Sequence, residues 1–267
     1  MKVALTIAGS DSGGGAGIQA DLRTFAAHGL HGASAITAVT AQNSVAVTAY
    51  VALEPAMVAA QIDAVASDMA VAAAKTGMLA NAGIVAAVAA AVERHRFPFL
   101  VVDPVMVAKS GDRLLDAAAE KAYERLYPLA TVLMPNLPEA EALLGRPVRT
   151  RDAMRRAAED LRARGPRAVV VKGGHLEGDA EAVDVFADGT RLLELRAPRI
   201  DTMHTHGTGC TYSAAIAARL ALGHELLEAV RGAKEYLTEA IRGAYGLGRG
   251  HGPVNHLHPL TTDRRRT

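Results

Sequence analysis

The sequence predicts an α/β fold built on a mainly parallel sheet with helices on both faces. Three observations carry that prediction. Short apolar runs alternate with longer stretches of helical period along most of the chain. The strand-like runs are continuously apolar rather than alternating, as strands covered on both faces are. Glycine and polar residues collect just after one run after another, where the ligands of open α/β sheets sit. No internal repeat, low-complexity linker or composition break divides the chain, so one domain is expected over residues 1–267, with an irregular tail from about 250.

In chain order, Lys2–Ala8 reads as a buried strand that runs into a Gly-rich loop and then a helical pattern from about Ala16 to His28. Ala33–Ala41 and Val45–Leu53 read as a second and third strand. Pro55 suits the first turn of a helix to about Met69. Val71–Thr76 is a short strand, and Asn81 can cap a helix to about His95. Leu100–Asp103 is an apolar strand stopped by Pro104. A helix near Asp116–Leu126, a strand Thr131–Met134 and a helix Asp152–Arg164 follow, and then the β-branched strand Ala168–Lys172. Val183–Ala187 and Leu192–Leu195 flank Asp188-Gly189, the pattern of a tight hairpin. The last third is helical, from about Thr208 to Leu222 and from Glu225 to Gly246, and Pro253 and Pro259 interrupt the tail.

Composition excludes several classes of function. The chain is 50% hydrophobic and 21% charged, an ordinary globular balance. Its length suffices to bury roughly three quarters of the unfolded surface. A net charge of +1 gives no electrostatic case for a nucleic-acid or membrane-surface partner. Aromatics at 4%, with no Trp, leave little to stack on bases. The single Cys210 excludes an internal disulfide and a Cys-rich zinc site. The N-terminus lacks the flanks of a signal peptide, and the longest later apolar stretch, Ala82–Val92, is far short of the ~20 residues of a membrane span. A soluble cytoplasmic protein is expected.

The residues after the predicted strands carry the chemistry. Ser10–Asp21 is a Gly-rich loop without the Lys of a Walker A motif. It also lacks the downstream acid that a dinucleotide fingerprint needs, because Ile36–Gln42 holds no carboxylate. It reads either as a flexible strand-to-helix turn or as backbone that approaches a ligand. His206–Thr211, H-G-T-G-C-T, opens a helix whose Gly207, Thr208 and Gly209 amides can form an anion hole. Cys210 lies in that first turn, where thiol pKa values tend to fall, although a lone Cys is also commonly a small buried hydrophobe. Asn136–Glu139, N-L-P-E, can start a helix or place an amide and a carboxylate near Mg²⁺ and phosphate oxygens. Asp103 is a second oxygen ligand candidate, and Lys172, before two glycines, can sit on a transferring phosphate. Together these residues suggest phosphoryl transfer, which depends on positioning and charge neutralisation.

These motifs resemble a known family. A-G-S-D-S-G-G-G-A-G-I-Q-A-D (8–21), A-Q-N-S (41–44), K-T-G-M-L (75–79), D-P-V-M-V-A-K-S-G (103–111), P-N-L-P-E (135–139), V-K-G-G-H-L (171–176), T-H-G-T-G-C-T (205–211) and G-H-G-P-V-N-H-L-H (250–258) are similar, in order and spacing, to those of hydroxymethylpyrimidine/phosphomethylpyrimidine kinases of the ribokinase-like superfamily. The resemblance runs nearly end to end. It implies a ribokinase-like three-layer α/β/α sandwich and a cytoplasmic enzyme, often a homodimer, that uses ATP and Mg²⁺. It implies two phosphorylations, of 4-amino-5-hydroxymethyl-2-methylpyrimidine and then of its monophosphate, on the way to thiamin diphosphate.

Residue by residue, the resemblance makes Gln42 the reader of the aminopyrimidine, with Gly9, Asp21, Met78 and Val105 lining its pocket. Asn136, Lys172, Gly207, Thr208 and Gly209 are implied to bind phosphate, and Asp103 and Glu139 to stand on the metal side. Cys210 occupies the position of a general-base Asp in related sugar kinases, so the resemblance implies either a thiolate that takes the hydroxyl proton of the alcohol step or a residue that acts by position alone. His206 flanks the anion hole, either to hold a substrate phosphate or to make a structural hydrogen bond. The nearest rival is a pyridoxine/pyridoxal kinase. A non-catalytic nucleotide-binding module, or a hydrolase using Cys210 with His206 or His175, is the reading from other classes.

Overall fold

The computed structural model describes residues 1–106, 121–174, 176 and 180–261. Nine strands form one sheet among them: β1 (Val3–Ser10), β2 (His31–Gln42), β3 (Val47–Ala52), β4 (Val71–Thr76), β5 (Leu100–Val102), β6 (Val132–Leu133), β7 (Ala168–Val171), β8 (Glu181–Ala187) and β9 (Leu192–Pro198). They lie in the order β3-β2-β1-β4-β5-β6-β7-β8-β9. The six strands from β2 to β7 in that order are parallel, whereas β3, β8 and β9 are antiparallel additions at the two edges. The order reverses direction at β1, between β2 and β4, and a crevice opens beyond the carboxyl ends at such a switch point.

The helices are α1 (Gly17–Ala27), α2 (Pro55–Asp68), α3 (Ala82–His95), α4 (Leu137–Leu144), α5 (Arg151–Arg162), α6 (Thr208–Leu222), α7 (Leu226–Arg242) and the short α8 (His258–Thr261). The pleat divides each buried strand between two cores. On β7, Val169 and Val171 face a core shared with α2, α3, α4 and α5, and Ala168 and Val170 face one shared with α1, α6 and α7. The result is three layers, helices on sheet on helices, as the resemblance implies. Helix α6 is so rich in Ala that its backbone lies close to the sheet, with ten of its residues buried.

Local sequence explains the element ends. Pro55 starts α2, and the Asn81 and Thr150 side chains accept amides at the starts of α3 and α5. Gly189, with φ 87°, makes the β8–β9 turn, where Asp188 Oδ1 takes the Thr190 and Arg191 amides. Some expectations differ from the outcome. β5 and β6 are only three and two residues long, with β5 stopping just before Asp103-Pro104 and β6 continued only by the isolated Asn136–Lys172 bridge. The third strand is antiparallel and exposed rather than buried. The predicted helix near 116–126 falls partly outside the described residues, and its described end tightens into 3₁₀ turns at Tyr123–Arg125 and Tyr127–Leu129, the second around Pro128.

Between α7 and α8 the chain has little regular structure, yet Val254 and His256 are buried. The tail is anchored on α7 by Asn255 N–H to Ala240 O and by Tyr236 OH to His256 O. Burial pulls the His256 imidazole down to about 4, and Arg23 and His206 push the same way. A folded pKa below the unfolded ~6.5 means that the unfolded chain takes up more protons, so this contribution is complete above pH 6.5 and is lost as pH falls towards 4. Thermal unfolding of the wild type should therefore weaken more steeply between pH 6.5 and 4 than that of His256→Gln, by up to about 3 kcal/mol. Parallel profiles for the two proteins would contradict the assignment.

Candidate active site

A cleft of about 710 Å³ opens beyond the carboxyl ends of β1, β2, β4 and β5. Of the residues singled out from sequence, Gly9, Gln42, Met78, Val105, Asp103, Asn136, Glu139, Lys172, Gly207, Thr208, Gly209 and Cys210 all line it. Gly9 and Met78 form part of its floor, where a Cβ on Gly9 would stand 3.2 Å from Met78 Sδ. The Gln42 amide is oriented by Thr40 Oγ1, 3.2 Å from its Oε1. Its backbone is clasped by Ser12, which donates to Gln42 O at 2.7 Å and accepts from Gln42 N at 2.8 Å.

The Gly-rich loop is built around one carboxylate that sequence reasoning did not single out. Asp11 accepts the amides of Gly13, Gly15 and Ala16, and His206 Nε2 lies 2.9 Å from its Oδ2. These hydrogen bonds hold the Asp11 carboxyl below its usual pKa despite burial. The loop also meets the start of α6 backbone to backbone. Gly207 is left-handed, with φ 82°, and a Cβ on it would overlap the Gly15 carbonyl. Asp11 follows the first strand and was visible in sequence, but its partner is 195 residues away. His206 thus makes a structural hydrogen bond while lining the cleft.

At the other end of the cleft three charges converge. Lys172 Nζ is 2.6 Å from Asp103 Oδ1 and 3.8 Å from Glu139 Oε2. A short parallel bridge between Asn136 and Lys172 extends the sheet and aligns them. The N-L-P-E segment is a capping box, with Asn136 Oδ1 accepting from Glu139 N and Glu139 Oε2 accepting from Asn136 N. Both readings of that motif therefore hold in one place: the carboxylate caps α4 and also faces the cleft. Burial, with Asp103 beside it, pushes the Glu139 carboxyl up against the opposing pull of Lys172. Ser213 Oγ donates to Asp103 Oδ2 at 3.3 Å, and Gly209 lies directly over the Asp103–Lys172 pair. The N-cap of α6 is Gly207, with no side chain to take the first-turn amides, which leaves a dipole end aimed at the pair.

Two expectations are corrected. Asp21 does not line the cleft. It is fully buried beneath it, paired with Lys75 Nζ at 2.9 Å and 3.0 Å and accepting from Thr6 Oγ1 at 2.6 Å. The helical period turns its side chain inward, and only the fold brings Lys75, on β4, opposite it. Nor does the Cys210 thiol fall as its place in a helix first turn suggests: burial pushes it up to about 11, aided by Asp21 and Asp103, against the opposing pull of Lys75 and the Gly17 amide. His175, Lys109, Ser110 and Gly111 lie outside the described residues.

A second cleft, also of about 710 Å³, lies on the other side of Lys172. Asn136, Lys172, Thr205, Thr208 and Gly209 line both clefts. Its floor holds the Lys234–Asp184 ion pair at 2.7 Å, and Asp184 Oδ1 also accepts the Gly173 amide at 3.0 Å, next to Lys172. Sequence reasoning missed this cleft because its walls come from β8, β9 and α7, with no local motif.

The sequence matches the phosphomethylpyrimidine kinase family over residues 11–255. It is 52% identical over 261 residues to the hydroxymethylpyrimidine/phosphomethylpyrimidine kinase of Synechococcus elongatus, covering 97% of this chain and 99% of that one. It is 51% identical over 254 residues to the thiamine biosynthesis bifunctional protein ThiED of Geobacter sulfurreducens, covering 95% of this chain and 52% of that longer one. Its fold superposes on Bacillus subtilis pyridoxal kinase, solved as an ADP complex, with a TM-score of 0.90 at 41% identity, covering 96% of this chain and 97% of that one.

The thiol chemistry is directly measurable. A thiol near 11 is neutral at pH 7.5, so iodoacetamide should alkylate Cys210 slowly there, with a rate that rises about tenfold per pH unit until near 11. A rate that levels off below pH 8 would show a preformed thiolate.

Proposed function

The chain belongs to the hydroxymethylpyrimidine/phosphomethylpyrimidine kinase family, and we propose that its two clefts hold acceptor and donor on either side of Lys172. It is a kinase of thiamin biosynthesis that phosphorylates 4-amino-5-hydroxymethyl-2-methylpyrimidine to its monophosphate and the monophosphate to the diphosphate. The observation that carries the assignment of clefts is that five residues, Lys172 and Gly209 among them, line both. A phosphoryl group passing from one ligand to the other has to cross that shared wall.

In this reading the pyrimidine lies in the first cleft. The Gln42 amide accepts from its 4-amino group and donates to the adjacent ring nitrogen, with Gly9, Met78 and Val105 around the ring. ATP lies in the second cleft with its terminal phosphate over Gly209, met by the α6 amides and by Lys172. The solved ADP complex of Bacillus subtilis pyridoxal kinase supports a nucleotide donor. The residues also fit Mg²⁺. Two carboxylates, Asp103 and Glu139, stand beside Lys172 as hard oxygen ligands on the first cleft's side of the shared wall. Among the described residues no set of three or more His, Cys, Asp or Glu is grouped to hold a metal alone, so phosphate oxygens and water complete the shell. Asp103 and Glu139 would hold the ion, which neutralises phosphate charge when bound.

Cys210 sits at the acceptor end as a neutral thiol. Phosphoryl transfer passes through a loose transition state that makes little demand on a base, and the second acceptor is already an ionised phosphate. Cys210 therefore places the acceptor oxygen, the alcohol's proton passing to a phosphoryl oxygen or to water as the new P–O bond forms and the bond to ADP breaks, and Cys210→Ser should lower both steps alike.

The alternative is a B6-vitamin kinase, favoured by the pyridoxal kinase likeness alone. Comparing kcat/KM for the pyrimidine alcohol and for pyridoxine separates the two. A cleft that uses Gln42 on the aminopyrimidine edge should prefer the pyrimidine by about a hundredfold or more, because pyridoxine lacks that edge and leaves the amide unpaired. A preference for pyridoxine would overturn the reading.

A further inference from the structure

The G-H-G-P-V-N-H segment near the C-terminus has no part in the phosphoryl chemistry, yet it reaches the acceptor cleft from behind. Its backbone runs between two parts of the site. On one side lies the tip of the β2–β3 turn, two residues beyond Gln42. Ser44 Oγ accepts from Gly250 N at 3.1 Å, and Ser44 O accepts from His251 N at 2.9 Å. On the other side lies the entry to α6. Gly252 N donates to His204 Nδ1 at 3.1 Å, His206 N donates to Gly252 O at 3.1 Å, and Val254 N donates to His206 O at 3.3 Å. His251 Nδ1 is 2.7 Å from Met203 O.

The approach is too close for side chains. A Cβ on Gly250 would overlap the Ser44 carbonyl, one on Gly252 would overlap the Tyr245 carbonyl, and one on Gly248, at φ 74°, would overlap Ser44 Oγ. The turn itself is stiff. Asn43 Oδ1 accepts the Val45 and Ala46 amides, and Asn43 N donates to Ala46 O. A push on Ser44 therefore moves the 43–46 turn as a unit, and it reaches Gln42 through the peptide bond to Asn43 and the pairing of Gln42 with Val47 at the base of the turn. The tail is fixed in turn to α7, through Asn255 N and Tyr236 OH.

We propose that residues 248–252 are a strap that sets the position of Gln42 relative to the α6 anion site, with Gly250 and Ser44 as positioning residues for the acceptor. None of residues 248–252 lines either cleft. It acts on the separation between the group that reads the ring and the amides that hold the phosphate, the length that an alcohol or its monophosphate has to span. The inference rests on the assignment of Gln42 to the acceptor.

The test is steady-state kinetics of Gly250→Ala, Ser44→Ala and Gln42→Ala with both substrates varied. Gly250→Ala should raise KM for the pyrimidine alcohol by about tenfold or more while leaving KM for ATP within about twofold. Ser44→Ala, which removes one acceptor and adds no bulk, should raise the same constant roughly fivefold. Thermal unfolding of each variant, with its ATP KM, reports general damage. Loss of ATP affinity in step with loss of pyrimidine affinity would mean a structural role only and would overturn the strap. If Gln42→Ala raises the pyrimidine KM and neither strap variant does, the strap fails and the acceptor assignment stands. If Gln42→Ala leaves that KM unchanged, the acceptor assignment fails and the strap with it.

Discussion

The ion pair between Lys172 and Asp103 is the contact around which the rest of the site is arranged. The two residues are 69 positions apart and directly follow β7 and β5, and the parallel ladder through β6 brings them together. Removing a lysine and two carboxylates from water is a poor way to gain stability, because desolvation consumes most of the attraction. A group of charges fixed in place and partly dry is, however, well suited to a reacting group whose charge is redistributed. Two carboxyl groups beside the one cation also offer hard oxygen ligands where a polyphosphate would arrive with its counter-ion.

Around this pair the geometry is imposed by backbone contact. The loop after β1 and the start of α6 approach so closely that Gly207 tolerates no side chain, and Asp11 gathers three loop amides and His206 into one cluster. The tail applies the same kind of constraint from behind, with glycines against Ser44. Beneath the cleft, Asp21 and Lys75 satisfy each other out of reach of solvent. The acceptor end is therefore held from three directions, by a cleft wall hydrogen-bonded to itself, by the tail and by a buried ion pair, the kind of support that sites of defined geometry need.

Much of this was legible in the sequence, for physical reasons. Continuously apolar runs such as Ala168–Val171 announce strands with two buried faces, and Asn81, Pro55 and Asp188-Gly189 mark ends and turns by local chemistry. Because ligands collect beyond strand ends, the residues following the strands named most of the first cleft before any coordinates. What was not legible depends on partners distant in sequence. The inward direction of Asp21 follows from Lys75, the Cys210 pKa from burial that outweighs Lys75 and the Gly17 amide, and the role of Asp11 from His206. The second cleft is assembled from β8, β9 and α7, whose residues carry no shared motif. β5 and β6 were overextended because a short apolar run does not reveal where its ladder ends.

The central claim is that one transfer point, at Lys172 and Gly209, serves the alcohol and then its monophosphate. The most direct measurement is the number of ATP equivalents consumed per 4-amino-5-hydroxymethyl-2-methylpyrimidine in the presence of Mg²⁺, with the product weighed by mass spectrometry. The account predicts two equivalents and a diphosphate, with a Lys172→Ala variant losing both phosphorylations together. A single equivalent with the monophosphate as end product, or a Lys172→Ala variant that loses one step and keeps the other, would contradict it.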